Sequence, residues 1–163
     1  MTLDTLNASS PDAFVAALGS IMEGSPWAAA RAWSRRPFAS LEALHQAMMA
    51  EVSAASRDEQ LGLLRAHPDL GTRAHMTATS AGEQAGAGLD RLTPAEFDQL
   101  HALNTAYREK FGFPFLLAVR GSTTHDVLAA LTARLPASVQ DEFAEALRQV
   151  SRIAWFRLQD VMT

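Results

Sequence analysis

The sequence contains no cysteine, which excludes disulfides, thiolate nucleophiles and cysteine-ligated zinc or iron–sulfur centres, leaving His, Asp and Glu as the available metal ligands. No apolar run approaches the roughly 18–20 residues needed to cross a bilayer. The opening Met1-Thr2-Leu3-Asp4 lacks the basic region of a secretory signal, and the ending Asp160-Val161-Met162-Thr163 lacks a peroxisomal Ser-Lys-Leu. Positive charge is scarce too: 14 Lys and Arg against 18 Asp and Glu give a net charge of −4, with Arg35-Arg36 the only adjacent basic pair. Nucleic-acid binders need a basic surface to displace counterions from phosphates, so the expected partners include neither nucleic acid nor membrane, and the expected location is the cytoplasm. A small anionic substrate stays open, because a few arginines in a pocket can outweigh a mildly negative exterior.

Strand alternation is almost absent as well. What is present is an ordinary globular composition, 48% hydrophobic and 20% charged, on a 163-residue chain without repeats, low-complexity tracts or a linker. A chain of this size folded as one unit buries roughly 68–70% of its unfolded surface. Helix-start signals recur along the whole length, so the expected fold is all-α: a single-domain helical bundle of about seven to nine helices over residues 1–163.

Ser10-Pro11-Asp12 and Ser25-Pro26-Trp27 read as helix starts with Ser as N-cap and Pro at the first helical position. Pro37 ends the second of these helices. Ser40 then caps a helix whose Leu41, Leu44, Met48 and Val52 share one face. Ser56-Arg57-Asp58-Glu59 has the form of a capping box, and the helix it opens should break at His67-Pro68, because the residue before proline is pushed out of helical geometry. A loop is expected from there to about Thr79. Ser80-Ala81-Gly82-Glu83 reads as a second capping box and Thr93-Pro94-Ala95-Glu96 as a third, the last opening a long helix that carries Phe97, Leu100, Leu103 and Tyr107 and closes at Gly112. Phe113 to Val119 is apolar and contains a proline, which suits an extended buried segment. One helix follows up to Leu135, and Ser138 begins a last one reaching Val161.

None of the five histidines pairs at i, i+4 beside a glutamate, so no metal is expected. His45, His101 and His125 fall in or at the start of helices and read as surface or half-buried positions. His67 differs: it is fixed before a proline at a helix end, where scaffolds hold catalytic groups. Ser80 and Glu83 are explained by a capping box without any ligand. Arg157 on the last helix reads, from its position alone, as a solvent-facing side chain with its stem packed down. Phe111-Gly112-Phe113-Pro114-Phe115 is either a core plug or a fixed backbone path whose amides point at a ligand.

Read together, Trp33-Ser34-Arg35-Arg36-Pro37-Phe38, His67-Pro68-Asp69-Leu70, Ser80 to Gln84 leading into Ala87-Gly88-Leu89, Leu103-Asn104-x-x-Tyr107, Phe111 to Phe115 and Arg157-Leu158-Gln159-Asp160 resemble, in order and approximate spacing, the 2-oxo-4-hydroxy-4-carboxy-5-ureidoimidazoline decarboxylases of urate breakdown. The resemblance runs from about Phe14 to Val161. It implies an all-helical homodimer that converts a small-molecule substrate to S-allantoin with no metal or organic cofactor. His67 takes the position of the family's catalytic histidine and Glu83 the acidic position, while Pro68, Ser80, Glu83, Gln84, Phe115, Leu116, Leu117, Ala118, Val119 and Arg157 match substrate-contacting positions. The backbone amides of Phe115 to Val119 are then candidate oxyanion donors. The alternative is a ureide-binding or hydrolytic relative that keeps the pocket and acts on another purine-breakdown intermediate; a non-enzymatic helical module using Phe113 to Val119 as a docking face is the third reading.

Overall fold

The computed structural model describes residues 1–72 and 76–162. Among the described residues there are nine α-helices and no strand: α1 (Leu3–Asn7), α2 (Pro11–Leu18), α3 (Trp27–Ala32), α4 (Leu41–Ala54), α5 (Arg57–Arg65), α6 (Ala78–Gly86), α7 (Pro94–Phe111), α8 (Thr124–Arg134) and α9 (Val139–Val161), with a short 3-10 turn at Trp33–Arg35. The all-α expectation is borne out. The helices group into two compact units, residues 1–66 with those from 150 on, and residues 67–149; α9 gives its first half to the second unit and its second half to the first. No helix of the described residues is long and apolar enough to cross a membrane.

Most helix starts follow from local chemistry. Ser10, Ser40, Ser56 and Thr93 are extended N-caps whose hydroxyls accept from amides of the first turn, and the capping boxes of Ser56 with Glu59 and Thr93 with Glu96 are complete. Thr123 caps α8 with Asp126 closing the box. Gly112 ends α7 in the left-handed region at φ 80°, the conformation that glycine adopts without strain.

Three readings are corrected. A short helix, α1, precedes the one opened at Ser10, capped by Thr2. Helix α3 starts after Pro26, and no side chain caps it, so Ser25 is a buried residue rather than an N-cap. The third correction concerns the candidate site: α6 is capped by Thr77, whose hydroxyl accepts from the Ser80 amide at 3.2 Å, so Ser80 lies inside the first turn and is not the N-cap of a capping box. Residues 73–75 of the expected loop lie outside the described residues.

In the first unit, Trp33 to Phe38 is structural. Trp33 Nε1 donates to Ser9 O at 3.1 Å, and the Arg36 guanidinium lies 3.9 Å from the centre of the Trp33 ring while donating to Asn7 O at 2.6 Å. Asn7 and the Phe38 backbone exchange two hydrogen bonds, of 2.9 and 2.8 Å. On α4, Leu44, Met48 and Val52 are fully buried as their spacing predicts, whereas Leu41 is half-buried. His45, also half-buried, contacts Ser151 O at 2.8 Å and packs edge-on against Trp155, which accounts for it without a ligand.

Candidate active site

His67 follows Ala66, the C-cap of α5, and is 6% exposed. The next residue, Pro68, denies the chain another helical turn, so the backbone leaves α5 as a loop. Three bonds within the second unit tie that loop to neighbouring helices. Asp69 Oδ1 accepts from Arg108 Nη2 on α7 at 2.7 Å. Asn104 Nδ2, also on α7, donates to Leu70 O at 2.9 Å, and Gly71 N donates to Gln84 Oε1 on α6 at 2.8 Å. Gly71 has φ +72°, so glycine is favoured by conformation, and a Cβ there would also stand 2.5 Å from Leu100 Cδ2, a side-chain end that would have to shift.

Gln84 and Ser80 are both buried, on the α6 face turned to the unit's core, and Glu83 is half-buried in the middle of the same helix. With Thr77 as the cap, the helix start does not depend on Glu83. The capping-box explanation of Glu83 is thereby removed.

The segment Phe113 to Val119 is irregular and buried apart from Leu117, which is half-buried, in agreement with the extended segment expected. The single tyrosine of the chain organises it. Tyr107 on α7 meets the rings of Phe111, Phe113 and Phe115 at centroid distances of 4.4, 6.0 and 5.3 Å, and its hydroxyl donates to Glu142 Oε1 at 2.6 Å. Glu142 pairs with Arg134, which donates through Nη1 to Leu116 O at 2.6 Å and lies 4.4 Å from the centre of the Phe115 ring. Ala118 N donates to Gln149 Oε1 at 3.0 Å, and Gln149 Nε2 donates to Glu145 at 2.8 Å. Among the described residues, the amides of Leu117 and Val119 make no hydrogen bond.

One face of α7 therefore supports both candidate segments, through Asn104 for the His67 loop and Tyr107 for the Phe115 to Val119 segment. Asn104 was legible only as part of the Leu103-Asn104-x-x-Tyr107 pattern and carried no role. The signal that finds it is a polar residue four positions after Leu100 and three before Tyr107, on the apolar face of the helix. Its Oδ1 has no partner among the described residues. A buried acceptor left so costs about 1–3 kcal/mol, which an apolar residue at this position would avoid. Gln149 and Arg134 were missed because their partners, Ala118 and Leu116, are backbone groups distant in sequence.

Arg157 belongs to the first unit. It is buried, with Nη2 3.5 Å from Glu23 Oε2 and Nη1 donating to Ile21 O at 3.3 Å. The solvent-facing reading of Arg157 is thus excluded. Among the described residues no three His, Asp or Glu side chains gather as a metal set.

Burial, then the hydrogen bond to Glu142 and its charge, push the Tyr107 phenol above its ordinary value near 10. A phenol whose folded pKa is raised contributes stability that is fully present below about pH 10 and is lost as pH rises beyond it, because only the unfolded chain ionises there. With one tyrosine in the chain, tyrosinate absorbance reads this residue alone. The signal is expected to appear only together with loss of the helical circular dichroism; reversible ionisation near pH 10 in the folded protein would contradict the buried Tyr107–Glu142 bond.

Over residues 7–159 the chain matches the family described as OHCU decarboxylase. It is 47% identical over 161 residues to the 2-oxo-4-hydroxy-4-carboxy-5-ureidoimidazoline decarboxylase of Halalkalicoccus jeotgali, covering 99% of this chain and 92% of the relative. It is 47% identical over 160 residues to the decarboxylase of the same name from Haloferax volcanii, covering 98% and 95%. Among solved structures, (S)-allantoin synthase superposes with a TM-score of 0.79 at 36% identity, over 99% of this chain and 54% of that one. A match that spans both units and nearly the full length of such relatives fixes the assignment: the chain belongs to the OHCU decarboxylase family.

Proposed function

We propose that the protein decarboxylates 2-oxo-4-hydroxy-4-carboxy-5-ureidoimidazoline to S-allantoin in urate degradation. The observation that carries this reading is the family match over residues 7–159, a span that includes His67-Pro68-Asp69-Leu70. Losing CO₂ leaves an electron pair on C4, the former carboxyl-bearing carbon; it moves into the neighbouring C5=N bond to give a C4=C5 enol, and the 2-oxo group conjugated with that nitrogen shares the charge as an oxyanion. The step needs hydrogen-bond donors rather than an electron sink from outside, so the reading calls for no metal or organic cofactor. Activity is accordingly expected to survive exhaustive dialysis against a strong chelator; loss that zinc or magnesium restores would overturn this part.

In this reading His67 delivers a proton to one face of the ureido-bearing carbon C5 of that enol, which sets the S configuration at C5. The 4-hydroxyl meanwhile gives up its own proton and becomes the ring carbonyl of allantoin, and the ring nitrogen takes one up. Oxyanion donation falls to the amides of Leu117 and Val119, since that of Ala118 is engaged by Gln149. Phe115, Leu116 and Pro68 are assigned to substrate contact in the same reading. The oxygen of Gln84 is taken by Gly71, which leaves its NH₂ group as the donor toward substrate. Ser80, on the same buried face of α6, offers a hydroxyl. Glu83 accepts from the ureido N–H groups, and Arg157, oriented by Glu23, offers its fork of N–H donors to a carboxylate or ring carbonyl. The protein acts in the cytoplasm as a homodimer, which sedimentation velocity would test.

Incubation with freshly generated substrate distinguishes this reading from a hydrolytic one. Accelerated CO₂ release with S-allantoin as sole enantiomer is expected, and hydrolysis without CO₂ would overturn it. Glu83→Gln supplies a second test. It turns one acceptor into a donor facing a donor, a mismatch worth about 1–3 kcal/mol in a desolvated pocket, or roughly 5- to 150-fold in kcat/KM. Because Thr77 caps α6, the melting temperature is expected to stay at its wild-type value. Unchanged kinetics would remove Glu83 from the site.

A further inference from the structure

The peptide joining Leu70 to Gly71 is gripped at both of its polar ends by side-chain amides. Its carbonyl accepts from Asn104 Nδ2 on α7 at 2.9 Å, and its N–H donates to Gln84 Oε1 on α6 at 2.8 Å. The two groups point to opposite edges of one rigid plane, so bonds from two different helices fix both its position and its rotation. The Asp69–Arg108 ion pair also reaches this loop, but its side chains are 34% and 48% exposed, a class of pair that holds weakly in water.

The loop also borders a void. A cavity of about 200 Å³ lies between the loop residues Leu70 to Thr72 and the α7 face carrying Phe97, Leu100 and Asn104. Loop residues line that space, and Gly71, whose φ of +72° disfavours any side chain, adds none to it. Between the clamped peptide and His67 stand only Pro68, which has one fixed torsion, Asp69 and the Leu70 residue itself. Little freedom is left to the His67 backbone once the Leu70–Gly71 plane is set.

We infer that Asn104, acting with Gln84, is a positioning residue for His67: the two amides hold the Leu70–Gly71 peptide so that the imidazole is presented at a fixed distance and angle to the reacting carbon. The inference rests on the reading of His67 as the proton donor given above. It accounts for an asparagine in the core of α7 whose acceptor oxygen has no partner among the described residues, because the side chain is kept for its single donated bond.

A double-mutant cycle tests it. Asn104→Ala and the near-isosteric Asn104→Asp, which sets an oxygen against the Leu70 carbonyl, are each made in the wild-type chain and in the His67→Asn background, and kcat and KM are measured per folded protein. In the wild-type background either change is expected to lower kcat by about 10- to 100-fold, the scale of misplacing a reacting group by about an ångström, with KM within about 3-fold. In the His67→Asn background the same change is expected to cost less than about 2-fold, because residues acting as one unit are non-additive. The aspartate variant keeps the test available if the alanine variant fails to fold. Equal losses in both backgrounds, or an unchanged kcat in the wild-type background, would overturn the positioning role while leaving His67 as the proton donor. Full turnover by His67→Asn itself would instead overturn the reading of His67, and the clamp's purpose with it.

Discussion

His67→Asn is expected to fold as the wild type does and to lose at least about 100-fold in turnover, the lower range for removing a positioned proton-transfer group. Asparagine fills a similar volume and keeps a hydrogen-bonding end, so the 6%-exposed site is neither emptied nor stripped of polarity. It cannot exchange a proton near neutral pH, which imidazole can. The bonds that hold the loop backbone at Leu70 and Gly71 are untouched by the change, and for that reason the fold should not register it. Circular dichroism and thermal melts establish that it does not, and CO₂ release with chiral analysis of the product measures the loss. Near-normal turnover by a variant with a wild-type melt would remove His67 as the proton donor and break the mechanism at its centre.

That His67 could be singled out from the sequence, whereas Asn104, Gln149 and Arg134 could not, has a physical reason. A histidine before a proline at a helix end is recognisable from neighbouring residues alone, as are the caps Ser10, Ser40, Ser56 and Thr93, whose bonds reach only the next turn. The cap of α6 shows the limit of local signals. Ser80 and Glu83 have the spacing of a capping box, yet Thr77 offers an equivalent hydroxyl and opens the helix earlier, so the same four residues fall in its interior. Asn104 makes its bond to a carbonyl 34 positions away and Gln149 to an amide 31 away, contacts that no helical period reveals. The all-helical class was legible because it rests on the repeated local pattern. The support of the two candidate segments was not, because it rests on side-chain-to-backbone bonds between distant parts of the chain.

The Arg134–Glu142 pair is where such long-range support should cost most when broken. Glu142 is 3% exposed at its side chain and Arg134 15%, so both charges are largely out of water and depend on each other. Arg134→Met leaves the Glu142 carboxylate buried with only the Tyr107 hydroxyl, takes the donor from Leu116 O, and removes the cation from the Phe115 ring. Breaking one side of a buried pair costs about 3–5 kcal/mol, and the partial exposure of Arg134 puts the expected value at the lower end, about 3 kcal/mol. For a chain of this size that corresponds to a fall in melting temperature of about 6–12 °C. Adding Glu142→Leu to Arg134→Met should recover at least about half of the loss, since replacing both members of such a pair with apolar groups removes the stranded charge. The recovered stability also isolates the functional consequence. The double variant still lacks the grip on Leu116 O, so if the amides of Leu117 and Val119 stabilise the oxyanion, turnover should stay reduced by about 10-fold or more while the melt returns, because donors out of place by an ångström lose much of their effect on a developing charge. A single variant melting within a degree or so of wild type would show that water reaches Glu142 freely. A double variant with restored turnover would show that the Phe115 to Val119 backbone is set by Gln149 and the aromatic contacts alone.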